Sequence, residues 1–275
     1  MSRVTHGSTP ARTSSLVLAS FNVHLGMDGW GRPFDVSGAC AALDADLLVL
    51  QECWTPDGDS SGTAARVARD LGYSVAAEAT LAHIQRHGAS ADADDRWGPR
   101  PWHLRRAFHF DHVRERRRPT GRPSLPGRWS IALLTRVPVR DPATLWLERL
   151  RRDPADRAVL RVATDLGSRE LTVMGTHMAH VTDFSPLQYR RMTALLPPAD
   201  TPAALAGDMN LWGPPVSSFF PAWRRAVVGR TWPAHRPHSQ LDHVLITESV
   251  QVVEARVAGP SGSDHRPVVV RLALG

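Results

Sequence analysis

Six short apolar segments of this chain carry polar, mostly ionisable residues at one end. Asn22 closes "LASFN", Glu52 closes "LLVLQE" and His177 closes "LTVMGTH". Asp208 and Asn210 close "AALAGDMN", Asp242 opens "LDHVLIT", and Asp264 and His265 stand just before "RPVVVRL". Strand ends are where loops converge and sites form, although any one of these residues would serve as a turn or cap. Together they are a chemical set. Carboxylate oxygens can hold a hard divalent cation, and an aspartate can orient a histidine base. No cysteine–histidine cluster has zinc-like spacing, so Mg2+ or Mn2+ is the metal such a set predicts. Asp208 and Asn210 lie two apart, and an extended backbone would send both side chains to one face.

The elements that must position these groups follow from periodicity. Residues 16–21 read as a core strand, 46–52 as a buried one, and 73–79 as another. A helix is expected over 31–45 with Pro33 near its start, and a second over 60–72 with a serine cap and a stop at Gly72. "DLGSRE" marks a turn between two strands within 157–177. "SPLQYRRMTALL" is an amphipathic helix capped by Ser185, and further strands are expected at 203–207, 241–247, 250–258 and 266–273. About ten strands with few helices favour an α/β protein of mixed sheets, two of them packed face to face with helices outside.

The chain has 275 residues, enough for a substantial core in one domain. It has 33 basic residues, all arginine, and a net charge of +6, which favours anionic partners. No run of about eighteen apolar residues suggests a spanning helix. Residues 1–14 lack an apolar core of secretory type and read as a disordered lead-in, with a single domain over 15–275. Cys40 and Cys53 sit in apolar context without a CxxC pair and read as buried thiols, which fits a reducing cytoplasm. Residues 83–128 break the regular pattern and are expected to form an inserted loop, with a short helix near 103–115. Ten arginines against two acids lie between Arg96 and Arg128, interleaved with Trp97, Trp102, Phe108 and Phe110. Such a segment suits a nucleic-acid backbone, an anionic lipid headgroup or plain solvent.

Taken in order, "FN" at 21, "LQE" at 50, "GTH" at 175, "GDMN" at 207, "LDHVL" at 241 and "SDHRPV" at 263 resemble the endonuclease/exonuclease/phosphatase superfamily. These are the metal-dependent phosphodiesterases related to DNase I, abasic-site endonucleases, neutral sphingomyelinases and inositol polyphosphate 5-phosphatases. The resemblance implies a DNase I-like four-layer sandwich, two mixed sheets between helices. It implies that Glu52 binds the metal, that Asn22 helps hold the metal site and that Asp264 lies near it. It assigns Asp208 to orienting or deprotonating the attacking water and Asn210 and His177 to the phosphate. Asp242 and His265 become a dyad in which the aspartate fixes the imidazole tautomer. Whether His265 or Asp208 takes the water's proton stays open. Met209 stands where the family usually has phenylalanine, and Glu78 is no clear match for the mid-chain glutamate or tyrosine of some nucleases. Trp232 and Arg236, on a segment beside the catalytic motifs, are expected to contact substrate. The resulting expectation is a monomeric metal-dependent phosphodiesterase of nuclease type, with a lipid or inositol-phosphate enzyme, or an inactive nucleic-acid-binding protein, as alternatives.

Overall fold

The computed structural model describes residues 15–29, 31–87, 108–110, 124–180 and 185–274. The expected lead-in at 1–14 and most of the arginine-rich segment lie outside the described residues. The first sheet is built from β1 (Leu16–Asn22), β2 (Leu47–Pro56), β3 (Ser74–His87), β4 (Phe108–Phe110), β5 (Ser124–Thr135), β12 (Val250–Val257) and β13 (Val268–Leu274). The second contains β6 (Arg140–Leu147), β7 (Arg157–Leu166), β8 (Arg169–His177), β9 (Ala203–Asp208), β10 (Arg224–Arg225) and β11 (Asp242–Ile246). Their spatial orders are β12-β13-β1-β2-β5-β3-β4 and β10-β11-β9-β8-β7-β6. Both sheets are mixed: β1 runs parallel to β2 and β8 parallel to β9, while the other pairings are antiparallel.

The pleat sorts each strand's side chains into two layers. Leu16, Leu18, Leu47, Val49 and Leu133 from the first sheet meet Leu160, Val162, Leu171, Val173, Ala204, Ala206 and Val244 from the second. The alternate residues Phe21, Leu48, Leu50 and Leu134 pack under α1 (Val36–Ala41) and α2 (Thr63–Leu71). On the far side, Met174, Leu205 and Leu245 pack under α3 (Ser185–Thr193) and α4 (Gly213–Phe219). The central strands of both sheets are therefore covered on both faces, which gives the four-layer sandwich expected from the sequence, while the edge strands β6 and β12 stay largely exposed.

Several local expectations are corrected. The first helix begins at Val36, where Asp35 accepts a hydrogen bond from the Gly38 amide at 2.9 Å, rather than near Pro33. The second helix is capped by Gly62 rather than by a serine and has no side-chain cap; Ser61 Oγ instead donates to Asp59 at 2.6 Å. Its stop is at Gly72, in the left-handed conformation expected. The inserted segment is narrower than 83–128: β3 continues to His87, β5 begins at Ser124, and Phe108–Phe110 is strand, not helix. The edge strand β6 carries no alternation signal, with Asp141 and Pro142 near its start.

Candidate active site

Inward-facing parity continues to the strand ends and turns polar there. Asn22 follows Leu16, Leu18 and Ser20; His177 follows Leu171 and Val173; Asp208 follows Ala204 and Ala206; Asp242 precedes Val244 and Ile246. Asp208 pairs with His177 on one side and Asp242 on the other. The apolar inter-sheet core thus ends in a layer of buried amide, imidazole and carboxylate groups, each no more than a few per cent exposed.

Glu52 arrives differently. The β2–β5 register slips between Leu50 and Cys53, and Glu52 sits in that bulge with φ +55°. A bulge re-aims one side chain out of the pleat. Gln51 keeps the inward position and is buried against Ser20, Nε2 to Oγ at 3.1 Å.

Asn22 joins the two sheets. Its Nδ2 donates to Glu52 Oε1 at 3.1 Å and to Asp208 Oδ2 at 3.0 Å, and its Oδ1 accepts from the His24 amide at 3.0 Å. Asp208 Oδ2 also lies 3.6 Å from His177 Nε2 and 3.9 Å from His265 Nε2. His265 Nδ1 is held by Asp242 Oδ2 at 2.9 Å. Asp264 lies beside His24, Oδ1 to Nδ1 at 3.4 Å. Ser263 Oγ donates to the Asn22 carbonyl at 2.7 Å and accepts from the His265 amide at 3.2 Å, tying the 263–265 turn to the end of β1.

The pairing of Asp208 with Asn210 has another cause than strand alternation. The strand ends at Asp208 and Asn210 has φ +49°. The Asn210 amide donates to Asp208 Oδ1 at 2.8 Å, a local turn that folds the two side chains together. Asn210 Nδ2 then donates to the Met178 carbonyl at 2.9 Å and lies 3.3 Å from His177 Nε2. Buried Met209 has its carbonyl capped by the Tyr189 hydroxyl.

Electrostatics follow from burial and crowding. Burial, with the charge of Asp242, raises Asp208 to about 7 against the opposing pull of His265. Burial pulls His265 down, but Asp242, Asp264 and Asp208 together outweigh it, so its imidazole is held well above the ordinary histidine range. His177 goes the other way, pushed well below that range by burial and then by Arg157 and His265. The same buried layer therefore pushes its two imidazoles in opposite directions.

The donor set fits a hard cation. Glu52 Oε2 is buried and meets no hydrogen-bond donor, a costly state for a carboxylate oxygen unless a cation faces it. Asp208, Asp242 and His265 form a second group whose ligand atoms lie within 4.8 Å of one another. In that group the imidazole Nδ1 is already engaged by Asp242, whereas Glu52 Oε2 is unpartnered.

Trp232 and Arg236 lie on the 230–240 loop, which is anchored against the 263–266 segment. The Ala234 amide donates to the Asp264 carbonyl at 2.7 Å and Arg266 Nε to the Ala234 carbonyl at 2.8 Å. Arg236 is exposed, and the half-buried Trp232 ring meets His238 edge-on. His243 is a packing residue, buried with Nε2 2.9 Å from the Leu211 carbonyl. Cys40 and Cys53 are buried and free, and burial pushes both thiols up, Cys40 to about 12. Glu78 is exposed on β3, where Ser130 Oγ donates to it at 2.7 Å.

Sequence reasoning missed Asp153, Arg157 and Trp129, which stand behind His177. An acid and an arginine four apart in "DPADR" read as a surface pair, yet here they are a buried one, 2.8 Å from Asp153 Oδ2 to Arg157 Nε.

Two mixed sheets converging on buried carboxylates, amides and imidazoles define a DNase I-like protein. The profile of the endonuclease/exonuclease/phosphatase family matches residues 19–265, and the chain belongs to that family. Its fold is similar to an endonuclease/exonuclease/phosphatase from Beutenbergia cavernae DSM 12333, with 19% identity over 95% of this chain and 72% of that one and a TM-score of 0.64. It is also similar to the human Nocturnin catalytic domain, solved with a bound sulfate anion, at 16% identity over 96% and 95% of the two chains and a TM-score of 0.59. D. rerio TDP2 complexed with single-strand DNA product matches at 13% identity over 94% and 99%, with a TM-score of 0.55. No curated protein matches the chain. Among the described residues, no helix is long and apolar enough to cross a membrane.

Proposed function

We propose that the protein is a divalent-metal-dependent phosphodiesterase of nuclease type that hydrolyses its substrate by in-line attack of water. One observation carries this reading: the Asn22 amide, His177 and His265 all converge on a single oxygen of a buried carboxylate, Asp208 Oδ2. A carboxylate fixed in that way, with its other oxygen tied to the Asn210 amide, is pre-aimed to orient a water and accept its proton. His177 Nε2 and Asn210 Nδ2, 3.3 Å apart, form a pair of polar groups against which phosphoryl oxygens gain charge. His265, raised by its three carboxylates and steadied by Asp242, holds positive charge beside the reacting phosphate. Glu52 and Asp264 would hold Mg2+ or Mn2+, with Asn22 keeping Glu52 in place. The bound ion supplies Lewis-acid stabilisation of the phosphoryl and leaving oxygens.

Nucleic acid is the favoured substrate class. The all-arginine net charge of +6 suits a phosphate backbone, and a structural neighbour was solved with DNA product. Trp232 and Arg236 would line the substrate's path from the 230–240 loop. The test is a panel of plasmid, oligonucleotide, sphingomyelin and inositol phosphate with Mg2+, comparing wild type, Glu52→Ala and His265→Ala. Hydrolysis of nucleic acid alone, lost in both variants, is the expected result. Turnover of lipid or inositol phosphate instead would move the substrate class, and full activity in both variants would refute the residue roles.

A further inference from the structure

Arg157 opens β7 and is 5% exposed. Its Nε donates to Asp153 Oδ2 at 2.8 Å and its Nη2 to Asp153 Oδ1 at 3.1 Å, a two-bond fork. The remaining nitrogen, Nη1, donates to the backbone carbonyl of His177 at 3.3 Å. The guanidinium carbon lies 5.2 Å from the centroid of the Trp129 ring, and Trp129 meets the His177 imidazole edge-on with centroids 5.1 Å apart. Arg157 therefore holds His177 twice, directly through its carbonyl and indirectly through Trp129. Asp153 is itself fixed, since its Oδ1 accepts from the Ala155 amide at 3.1 Å and Arg149 Nε donates to its carbonyl at 3.4 Å.

Asn210 Nδ2, 3.3 Å from His177 Nε2 and already donating to the Met178 carbonyl, would suit an accepting Nε2, but the rest of the cradle favours a proton there. Nδ1 is buried and meets no hydrogen-bond partner, whereas Nε2 faces the Asp208 carboxylate. A proton on Nδ1 would leave a buried donor unsatisfied and turn a bare Nε2 lone pair toward anionic oxygen. A proton on Nε2 avoids both faults. A fixed positive charge behind the ring disfavours a second proton. Packing alone does not require this device, because a buried ion pair is often no more stabilising than apolar side chains of similar volume.

We propose that Arg157, clamped by Asp153, is a positioning residue that fixes His177 as a neutral imidazole with its Nε2–H directed into the cleft. His177 is then a hydrogen-bond donor to the phosphoryl oxygen, and Asn210 Nδ2 is its neighbouring donor. The catalytic consequence rests on the phosphodiesterase reading, but the tautomer does not.

Removing Arg157 alone would strand the Asp153 charge and risk the fold, so the test uses Arg157→Met/Asp153→Leu, which deletes both charges together, and Arg157→Lys, which keeps both charges but loses the fork. Two-bond 15N–1H correlation of the His177 ring at neutral pH reads the tautomer without reference to activity. The wild type should show a single neutral Nε2–H form. The folded double variant should show mixed tautomers or partial protonation, with Arg157→Lys closer to wild type. On the best phosphodiester, the double variant should lose about ten- to a hundred-fold in kcat with KM little changed, the signature of an interaction made in the transition state. A folded double variant with the wild-type ring signals, or with unchanged kcat, overturns the proposal. If the wild type hydrolyses no phosphodiester, the functional reading fails while the ring spectrum still decides the tautomer.

Discussion

Gly207 offers a measurement of how tightly the two central strands must approach. It pairs with Thr176 on the parallel neighbour β8, and the next pair along is His177 with Asp208. A Cβ built on Gly207 would lie 2.1 Å from the Thr176 carbonyl oxygen and 2.9 Å from its carbon. Both are backbone atoms, so no side-chain rotation relieves the clash. The strands would have to part by roughly 1 Å to restore a tight van der Waals separation. That displacement falls on the backbone that sets His177 Nε2 3.6 Å from Asp208 Oδ2. A misplacement of about 1 Å at reacting groups costs about a hundred-fold in rate, and overpacking of this kind costs about 1–3 kcal/mol or more in stability. Gly207→Ala is therefore expected to lower kcat about a hundred-fold and to lower the denaturant midpoint. Gly167→Ala is the control: the residue has φ +64° in the β7–β8 hairpin turn, with nothing within 4 Å of an added Cβ. It should cost about 1 kcal/mol of backbone strain and leave kcat unchanged. Steady-state kinetics and urea unfolding of both variants decide the matter. A Gly207→Ala protein as stable as wild type and within about three-fold of its kcat would refute the coupling of strand spacing to the site.

Three further outcomes follow from the same geometry. Asp242→Asn leaves His265 without its charged partner at Nδ1 and should cost about a hundred-fold in kcat; retention of full rate would remove the dyad from the mechanism. Glu52→Gln keeps the shape and the bond from Asn22 but lowers the charge at the unpaired Oε2, so calorimetric titration should show Mg2+ binding weakened by about ten-fold or more. His243 tests the pH dependence of stability, since burial depresses it to about 4, aided by Arg225 and opposed by its bond to Leu211. Its contribution is complete above the unfolded histidine value near 6.5 and is lost as pH falls toward 4, amounting to about 3 kcal/mol at most. Urea unfolding from pH 7 to 4 should show this loss in wild type and a flatter profile in His243→Gln; equal slopes would refute it. His265 has the opposite sign, losing its stabilising effect as pH rises through its raised value, so the comparison with His243→Gln isolates the one residue.

The positions of Asn22, His177, Asp208 and Asp242 were legible because each prolongs the inward-facing parity of a strand whose apolar residues announce it. Period two is a local property of extended chain, so it survives in the sequence and names both the core and the polar residues that continue it. The two face-to-face sheets followed from many strands and few helices, and the four layers from the family resemblance. Glu52 was legible as an ionisable strand end, but not as the extra residue of a bulge, because a register slip depends on the partner strand. Asn210 looked like a continuation of the pleat and is instead turned back by a hydrogen bond to Asp208. Asp153 and Arg157 were invisible as site residues: an ion pair four apart looks the same in sequence whether it faces water or the interior. Only the packing of Trp129 and His177 over Arg157 makes it a buried support. Spacing along the chain determines which face a side chain takes. What that face meets, and hence the charge, tautomer and reach of the groups on it, is decided by elements distant in sequence, whose approach no local period records.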